Sequence, residues 1–329
     1  DNFLDFAYSL GVLHHVPDTA AAIRSVAAKL KSGAHFLLYL YYAFDNRPVW
    51  YRVLWRTSNF FRLTIARMPF PIRYVLSQIL AGLIYLTLNF APQRLAVLLP
   101  DAWSKRVGEQ MEASLVQNAR VCQTPDGDRA VAAMLAILAE GNPDMPPLRV
   151  RVYDIPIMNA FALPGGYIVL TRGLLREATE PGEVAGVLAH EVGHVAHHHP
   201  EAQMIRIAGM QVLISVATGT SGGNNASSLA GLAAILKSSR DAEREADAYA
   251  VTMLSAARID PMALKLFLER ILKEEGKSSG STFSNLGTVF STHPVTTERI
   301  AQIKPLPASA ALRAPLSDAQ WKDLKAICG

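Results

Sequence analysis

The hydrophobic rhythm of the chain changes several times. Phe6 to Val16 is a nearly unbroken apolar run bounded by Pro17 and Asp18, the pattern of a buried strand. Thr19 to Lys31 carries Ile23, Val26, Ala27 and Leu30 at helical spacing, with Gly33 placed just past a helix end, and His35 to Tyr42 reads as strand again. This predicts a β-α-β piece. From Pro48 to Pro100 the chain is first rich in arginine and aromatics and then almost uncharged from Tyr74 to Ala91, a run broken by Ser77, Gln78, Thr87 and Asn89. Such a run is marginal for a membrane span, and a buried or surface-lying helix is the expectation; were it to span, the upstream arginines would stay cytoplasmic and the remainder would be exported.

Beyond Asp101 the helical period dominates. Trp103 to Val121 and Arg129 to Leu138 have helical patterns, and "GNPDMPP" is a loop leading to two strand-like stretches, "LRVRVYDIP" and "NAFALPGGYIVLTRGLL", the latter two strands joined by a Pro-Gly-Gly turn. Pro181 and Glu183 suit the first turn of a helix with an apolar stripe at Val184, Val187 and Leu188, stopped by Pro200. A later helix carries Ala242, Ala246, Tyr249 and Met253 on one stripe. "TGTSGGNNASS" and "EEGKSSGS" read as flexible loops between helices. The expected fold class is α+β. A mainly helical domain with a small β-sheet at 101–329 is preceded by a β-α-β fragment at 1–47 and an Arg/aromatic amphipathic and apolar linking segment at 48–100.

Composition narrows the function classes. Half of the residues are apolar and 18 % are charged, which excludes a disordered chain. The net charge of +4 raises the question of nucleic acid, yet acidic and basic residues are interspersed from Leu188 to Asp260, so no nucleic-acid partner is expected. The basic concentration at Arg47, Arg52, Arg56, Arg62, Arg67 and Arg73 is interleaved with Trp50, Tyr51, Trp55, Phe60, Phe61 and Phe70, a mixture that suits a membrane surface. Cys122 and Cys328 are too few for a disulfide scaffold or a cysteine zinc ribbon; they are either a single bridge tying the tail to an early helix or two thiols. The chain opens on Asp1 without a signal-peptide pattern, so such a segment is either absent or lost with a missing front end.

The candidate chemistry lies in "LAHEVGHVAHHHP". Positions four apart share a helix face, so His190 and His194 present their rings to one point, as two ligands of one metal do. Glu191 lies about 100° round the helix, within reach of a metal-bound water without being a ligand, and serves as general base in this HExxH arrangement. In "SSRDAEREADAYA", Glu243 can complete a His, His, Glu set around zinc with one position left for water. Asp247, one turn on, can accept from the other nitrogen of His190, while Glu245 should face away. His197, His198 and His199 are expected to be an exposed helix end suited to the C-terminal dipole. His293, in "STHPVTTERI", is either an active-site group, donating to an oxyanion or filling zinc's open position, or a turn histidine packed near Arg299.

Two resemblances follow from these motifs. "SLGVLHHVPD" and "KLKSGAHFLLYLYY" resemble the C-terminal half of a class I S-adenosylmethionine-dependent methyltransferase, but the glycine-rich turn that would hold the cofactor is missing from the chain. His14 and His15 are then packing and turn residues, and no methyl transfer is expected. "NAFALPGGYIVLTRGLL", "GVLAHEVGHVAHHHP", "SRDAEREADAYA" and "STHPVTTERI" together resemble the M48 family of zinc metallopeptidases. That resemblance implies one Zn2+ held by His190, His194 and Glu243, with Glu191 as catalytic base and His293 as the active-site histidine. It also implies an envelope or membrane-associated protease acting on misfolded polypeptides, whereas a cytoplasmic location would follow from a true methyltransferase remnant. The apolar run after the HExxH helix is cut by "GTSGGNNASS", which implies a soluble or monotopic catalytic domain. Asn159, Ala160 and Phe161, if they form an exposed edge strand, would align an extended, unfolded substrate by main-chain hydrogen bonds. The competing readings are a zinc-containing binding or chaperone module closed by His293 as fourth ligand, and a methyltransferase-related fusion.

Overall fold

The computed structural model describes residues 4–10, 18–39, 56–57, 60, 64, 67–90, 92–116, 119–218, 239–277, 293, 295–307, 309 and 311–329. The chain divides into two units, Asp1–Gln78 and Ile79–Gly329.

In the first unit, β1 (Leu4–Leu10) and β2 (Leu30–Tyr39) pair in parallel and are connected through α1 (Thr19–Ala27). Asp18 starts α1 by accepting from the Ala21 N–H at 2.8 Å. The predicted β-α-β order holds, with one correction. The helix ends at Ala27 and Gly33 lies inside β2, with φ 81. The register jumps there, from Leu4↔Leu30 to Phe6↔His35, and glycine takes the left-handed backbone of the resulting bulge at no steric cost. Positions 11–16 of the expected first strand, with His14 and His15, lie outside the described residues, as does most of the arginine and aromatic stretch.

The apolar run forms α2 (Phe70–Phe90). It is not buried: Phe70, Ile72, Tyr74, Val75, Ile79, Leu83 and Leu86 are each at least 50 % exposed. Among the described residues, no helix is long and apolar enough to cross a membrane.

The second unit continues with α3 (Pro92–Ala96), α4 (Asp101–Val116), β3 (Val121–Cys122), α5 (Pro125–Glu140), β4 (Arg149–Tyr153), β5 (Ala160–Leu163), β6 (Tyr167–Thr171) and α6 (Arg172–Glu177). It ends with α7 (Pro181–Ala196), α8 (His199–Thr218), α9 (Arg240–Ala256), α10 (Met262–Lys277), α11 (Thr297–Gln302) and α12 (Asp318–Lys325). This is the mainly helical α+β arrangement that the sequence pattern predicts. The sheet order is β3-β4-β6-β5, with β4 and β6 parallel and the two outer pairs antiparallel. Val121, expected at the end of a helix, belongs instead to β3.

The turn between β5 and β6 needs glycine at both positions. Gly165 and Gly166 have φ 75 and 88, and a Cβ on Gly166 would stand 2.2 Å from the Pro147 carbonyl oxygen. Along β5 the side chains alternate. Ala160 and Ala162 join the main core, while Phe161 and Leu163 pack on the other face with Tyr153, Tyr167 and Val169.

Helix α7 is the centre of that main core. Val184, Ala185, Leu188, Ala189 and Val192 are completely buried, and the helix packs on α9, α10 and β5. At Gly193 the packing on α9 is so close that a Cβ would meet Ala246 Cα and O at 2.9 Å. The two cysteines form a disulfide between Cys122 and Cys328. Its partner near the front is β3, not a helix, and it anchors the chain end after α12, which packs on α5.

Candidate metal centre

Glu180 in extended backbone and Pro181 start α7, and nine residues on the helix brings His190, Glu191 and His194 into the interior, where they are 5 %, 2 % and 2 % exposed. Facing them is α9, whose first turn is capped by Ser239 accepting from Ala242 N–H at 3.2 Å. Glu243 and Asp247 project from α9 into the same interior, at 1 % and 2 % exposure. Carboxylates and imidazoles so far from water need partners that balance them.

Three residues define the geometry, through four atoms. His190 Nε2 is 3.1 Å from His194 Nε2, and Glu243 offers Oε2 at 3.5 Å from His190 Nε2 and Oε1 at 3.4 Å from His194 Nε2. Tetrahedral zinc with bonds of about 2.0–2.1 Å holds its ligand atoms roughly 3.3 Å apart, so the separations within this triangle of residues are of the right size. His293 joins it: its Nδ1 is 2.9 Å from Glu243 Oε1, and one ligand atom from each of the four residues lies within 4.8 Å of the others. Two buried polar atoms here, Glu191 Oε2 and His293 Nε2, have no hydrogen-bond partner. Such orphaned atoms and this donor set fit a zinc ion.

Behind the triangle, Asp247 Oδ1 approaches His190 Nδ1 at 2.9 Å. Arg299, itself 4 % exposed, clamps Asp247 through Nε at 2.6 Å and Nη2 at 2.8 Å and reaches Glu243 Oε2 with Nη1 at 2.6 Å. Burial alone would raise the Asp247 carboxyl, but Arg299 and His190 outweigh it and hold it at about 2. Burial would lower His190, yet Asp247 and Glu243 push it up to about 10. For His194 burial wins, with the charges of His190 and His293 adding to it, and the ring is held well below its ordinary value. Burial opposes ionisation of Glu243 too, but the charge of His293 and hydrogen bonds from the three histidines keep it well below the carboxylate range.

Glu191 Oε1 is 3.7 Å from His293 Nε2, and both line an apolar pocket with Met158, Leu174, Val187, Leu264, Phe267 and Val295. Asn159 and Ala160 open onto this pocket. Phe161 does not, because the two-residue period of the strand turns it to the opposite face of the sheet. β5 is an edge strand as expected, but the edge is not exposed: Ala160–Leu163 are at most 6 % exposed beside α7.

The structure also corrects the histidine run. His197 caps α7, His198 takes a left-handed backbone with φ 53, and His199 begins α8 with Pro200 in its first turn rather than ending the preceding helix. His199 is no frayed end. It is 6 % exposed, with Nδ1 2.8 Å from His194 Nδ1 and Nε2 3.0 Å from Glu245 Oε2. Glu245 does point away from the triangle, but it reaches it through His199. Burial lowers His199, outweighing the Glu245 carboxylate. Arg299 and this histidine pair went unassigned because no single-helix spacing connects them to His190 or His194. The only signal was the return of His199 five residues after His194.

The Peptidase family M48 profile matches residues 127–306, which span all of these site residues from His190 to Arg299. The chain belongs to peptidase family M48. Membership makes it a metalloprotease, and its M48 relatives carry names of that kind. It is 29 % identical over 216 residues to metalloprotease LoiP of Escherichia coli (strain K12), covering 64 % of this chain and 82 % of that protein. It is 32 % identical over 165 residues to mitochondrial metalloendopeptidase OMA1 of Schizosaccharomyces pombe, covering 50 % and 48 %. With the beta-barrel assembly-enhancing protease of Escherichia coli (strain K12) it shares 28 % identity over 166 residues, covering 45 % and 32 %.

Proposed function

We propose that His190, His194 and Glu243 hold one zinc ion, that Glu191 is the base, and that the protein hydrolyses peptide bonds in unfolded polypeptides. The observation that carries this reading is the triangle of residues, with nitrogen–nitrogen and nitrogen–carboxylate separations of 3.1, 3.4 and 3.5 Å, beside the buried Glu191 carboxylate, whose Oε2 has no hydrogen-bond partner. Zinc bound there supplies Lewis-acid polarisation of the scissile carbonyl and acidifies water toward a pKa of about 7. Glu191 takes a proton from the attacking water on its free Oε2 and delivers it to the leaving amine. His293, beside Glu191, is placed to donate to the carbonyl oxygen as negative charge develops there. Asn159 and Ala160 position the substrate where they open on the pocket. Asp247 and Arg299 hold His190 and Glu243 in place.

The catalytic unit on this reading begins near Asp101, and the setting is a cell envelope. An oxidising compartment is what a persistent Cys122–Cys328 bridge requires, and the exposed apolar side of α2 suits a membrane surface. A second reading draws on the nearness of His293 to the other three donors: as a permanent fourth ligand it would close the site and make the metal structural. Incubation of the purified chain with a denatured protein separates the two. Cleavage that stops with a chelator and returns with zinc supports the protease, whereas zinc retained without any cleavage supports the closed site.

A further inference from the structure

We propose that His199 and Glu245 are positioning residues for His194, a relay of one imidazole and one carboxylate that fixes the ring and proton of that ligand from behind. This rests on the reading of His194 as a metal ligand. The hydrogen positions follow one from another. His194 Nε2 faces Glu243 and His190, so its lone pair is the one available to a metal and its proton resides on Nδ1. That proton is donated across 2.8 Å to His199 Nδ1, which must then be the unprotonated nitrogen. His199 Nε2 therefore carries the ring's proton and donates it across 3.0 Å to Glu245 Oε2, which also accepts from Gln93 Nε2 at 3.0 Å. Every donor in the series meets an acceptor.

The backbone is built to make this contact. The left-handed turn at His198 folds the chain back after α7, so that His199, the first residue of α8, faces the His194 ring with centroids 4.9 Å apart. His197 stacks on His199 at 5.5 Å and meets Tyr249 edge-on at 5.8 Å, which braces the relay from its outer side. The two histidines of the triangle are thus supported differently: His190 by a carboxylate directly, at 2.9 Å, and His194 through an intervening imidazole. Groups that orient a metal-bound histidine in this way commonly contribute 10–100-fold in metal affinity.

Zinc affinity of the whole chain, measured by competition with a chromophoric chelator, tests the relay without recourse to proteolysis. His199→Leu removes the acceptor and should weaken zinc about 10–100-fold. His199→Asn places an oxygen near the former Nδ1 and should recover most of that loss, and Glu245→Gln should weaken zinc less than His199→Leu does. With Co2+ in place of zinc, the visible absorption bands should shift in His199→Leu and return toward wild type in His199→Asn. Equal affinity in His199→Leu and wild type overturns the relay while leaving the metal site intact. So does an equal loss in the Leu and Asn variants, which is the result of packing alone. Should His199→Leu fail to fold, judged by its far-UV circular dichroism, Glu245→Gln decides: unchanged zinc affinity and Co2+ spectrum there overturn the relay. Absence of zinc binding by the wild type overturns the ligand assignment itself.

Discussion

Asp247 Oδ1 stands 2.9 Å from Nδ1 of His190, the ring nitrogen opposite the one that faces Glu243. The carboxylate orients the ring, and Arg299 orients the carboxylate. Asp247→Ala should lower zinc affinity about 10–100-fold. It also removes a buried carboxylate that clamps the Arg299 guanidinium, so thermal or urea unfolding of the metal-depleted protein should show a loss of about 3 kcal/mol. An unchanged affinity in a folded variant contradicts the positioning role.

Glu183 in the first turn of α7 accepts two hydrogen bonds of 2.7 Å from Arg270 on α10. Burial works against ionisation of Glu183, but Arg270 and Thr179 outweigh it and the carboxyl lies below its ordinary value of 4.5. Because the folded value is the depressed one, the pair's contribution is complete above about pH 4.5 and fades as pH falls through the lower folded value. Arg270→Ala should cost about 2 kcal/mol at pH 7, and the difference from wild type should shrink at pH 4 and below. Urea unfolding at the two pH values measures it; a gap that widens in acid contradicts the assignment.

Gly193 lies between the two histidines of the motif, where a methyl group would meet Ala246 backbone at 2.9 Å. Gly193→Ala must push α9 away from α7, at a cost of about 1–3 kcal/mol. Since α9 carries Glu243, the displacement should reduce zinc content while the fold persists, read by metal analysis alongside circular dichroism. Wild-type zinc stoichiometry and affinity would show that α9 has room to spare.

The Cys122–Cys328 bridge closes a span of 206 residues around the site. Cys328→Ser, or reduction, should lower stability by about 2–5 kcal/mol. The melting temperature with and without reductant gives the effect in the wild type, and Cys328→Ser should show no further response to reductant.

The clustering of His190, His194 and Glu243 was legible because helices impose a period: His190 with His194, and Glu243 with Asp247, are each four apart and so share a face. The β-α-β piece and the Pro-Gly-Gly hairpin were legible for the same kind of reason. What pattern alone misplaced depends on chain reversal. His199 looked like the end of one helix, yet the left-handed His198 makes it the start of another and turns its ring inward. Arg299 lies 52 residues beyond the carboxylate it clamps, and nothing periodic relates them. Phe161 was grouped with Asn159 and Ala160 as one strand surface, although alternation sends it to the other side of the sheet.

The account stands most directly on Glu191. Glu191→Gln keeps the shape of the side chain and removes the base, leaving His190, His194 and Glu243 untouched. Zinc counted per chain should equal that of the wild type, and cleavage of a denatured protein should fall by at least about 10²–10⁴-fold. Cleavage at the wild-type rate by a zinc-loaded Glu191→Gln chain would contradict the account.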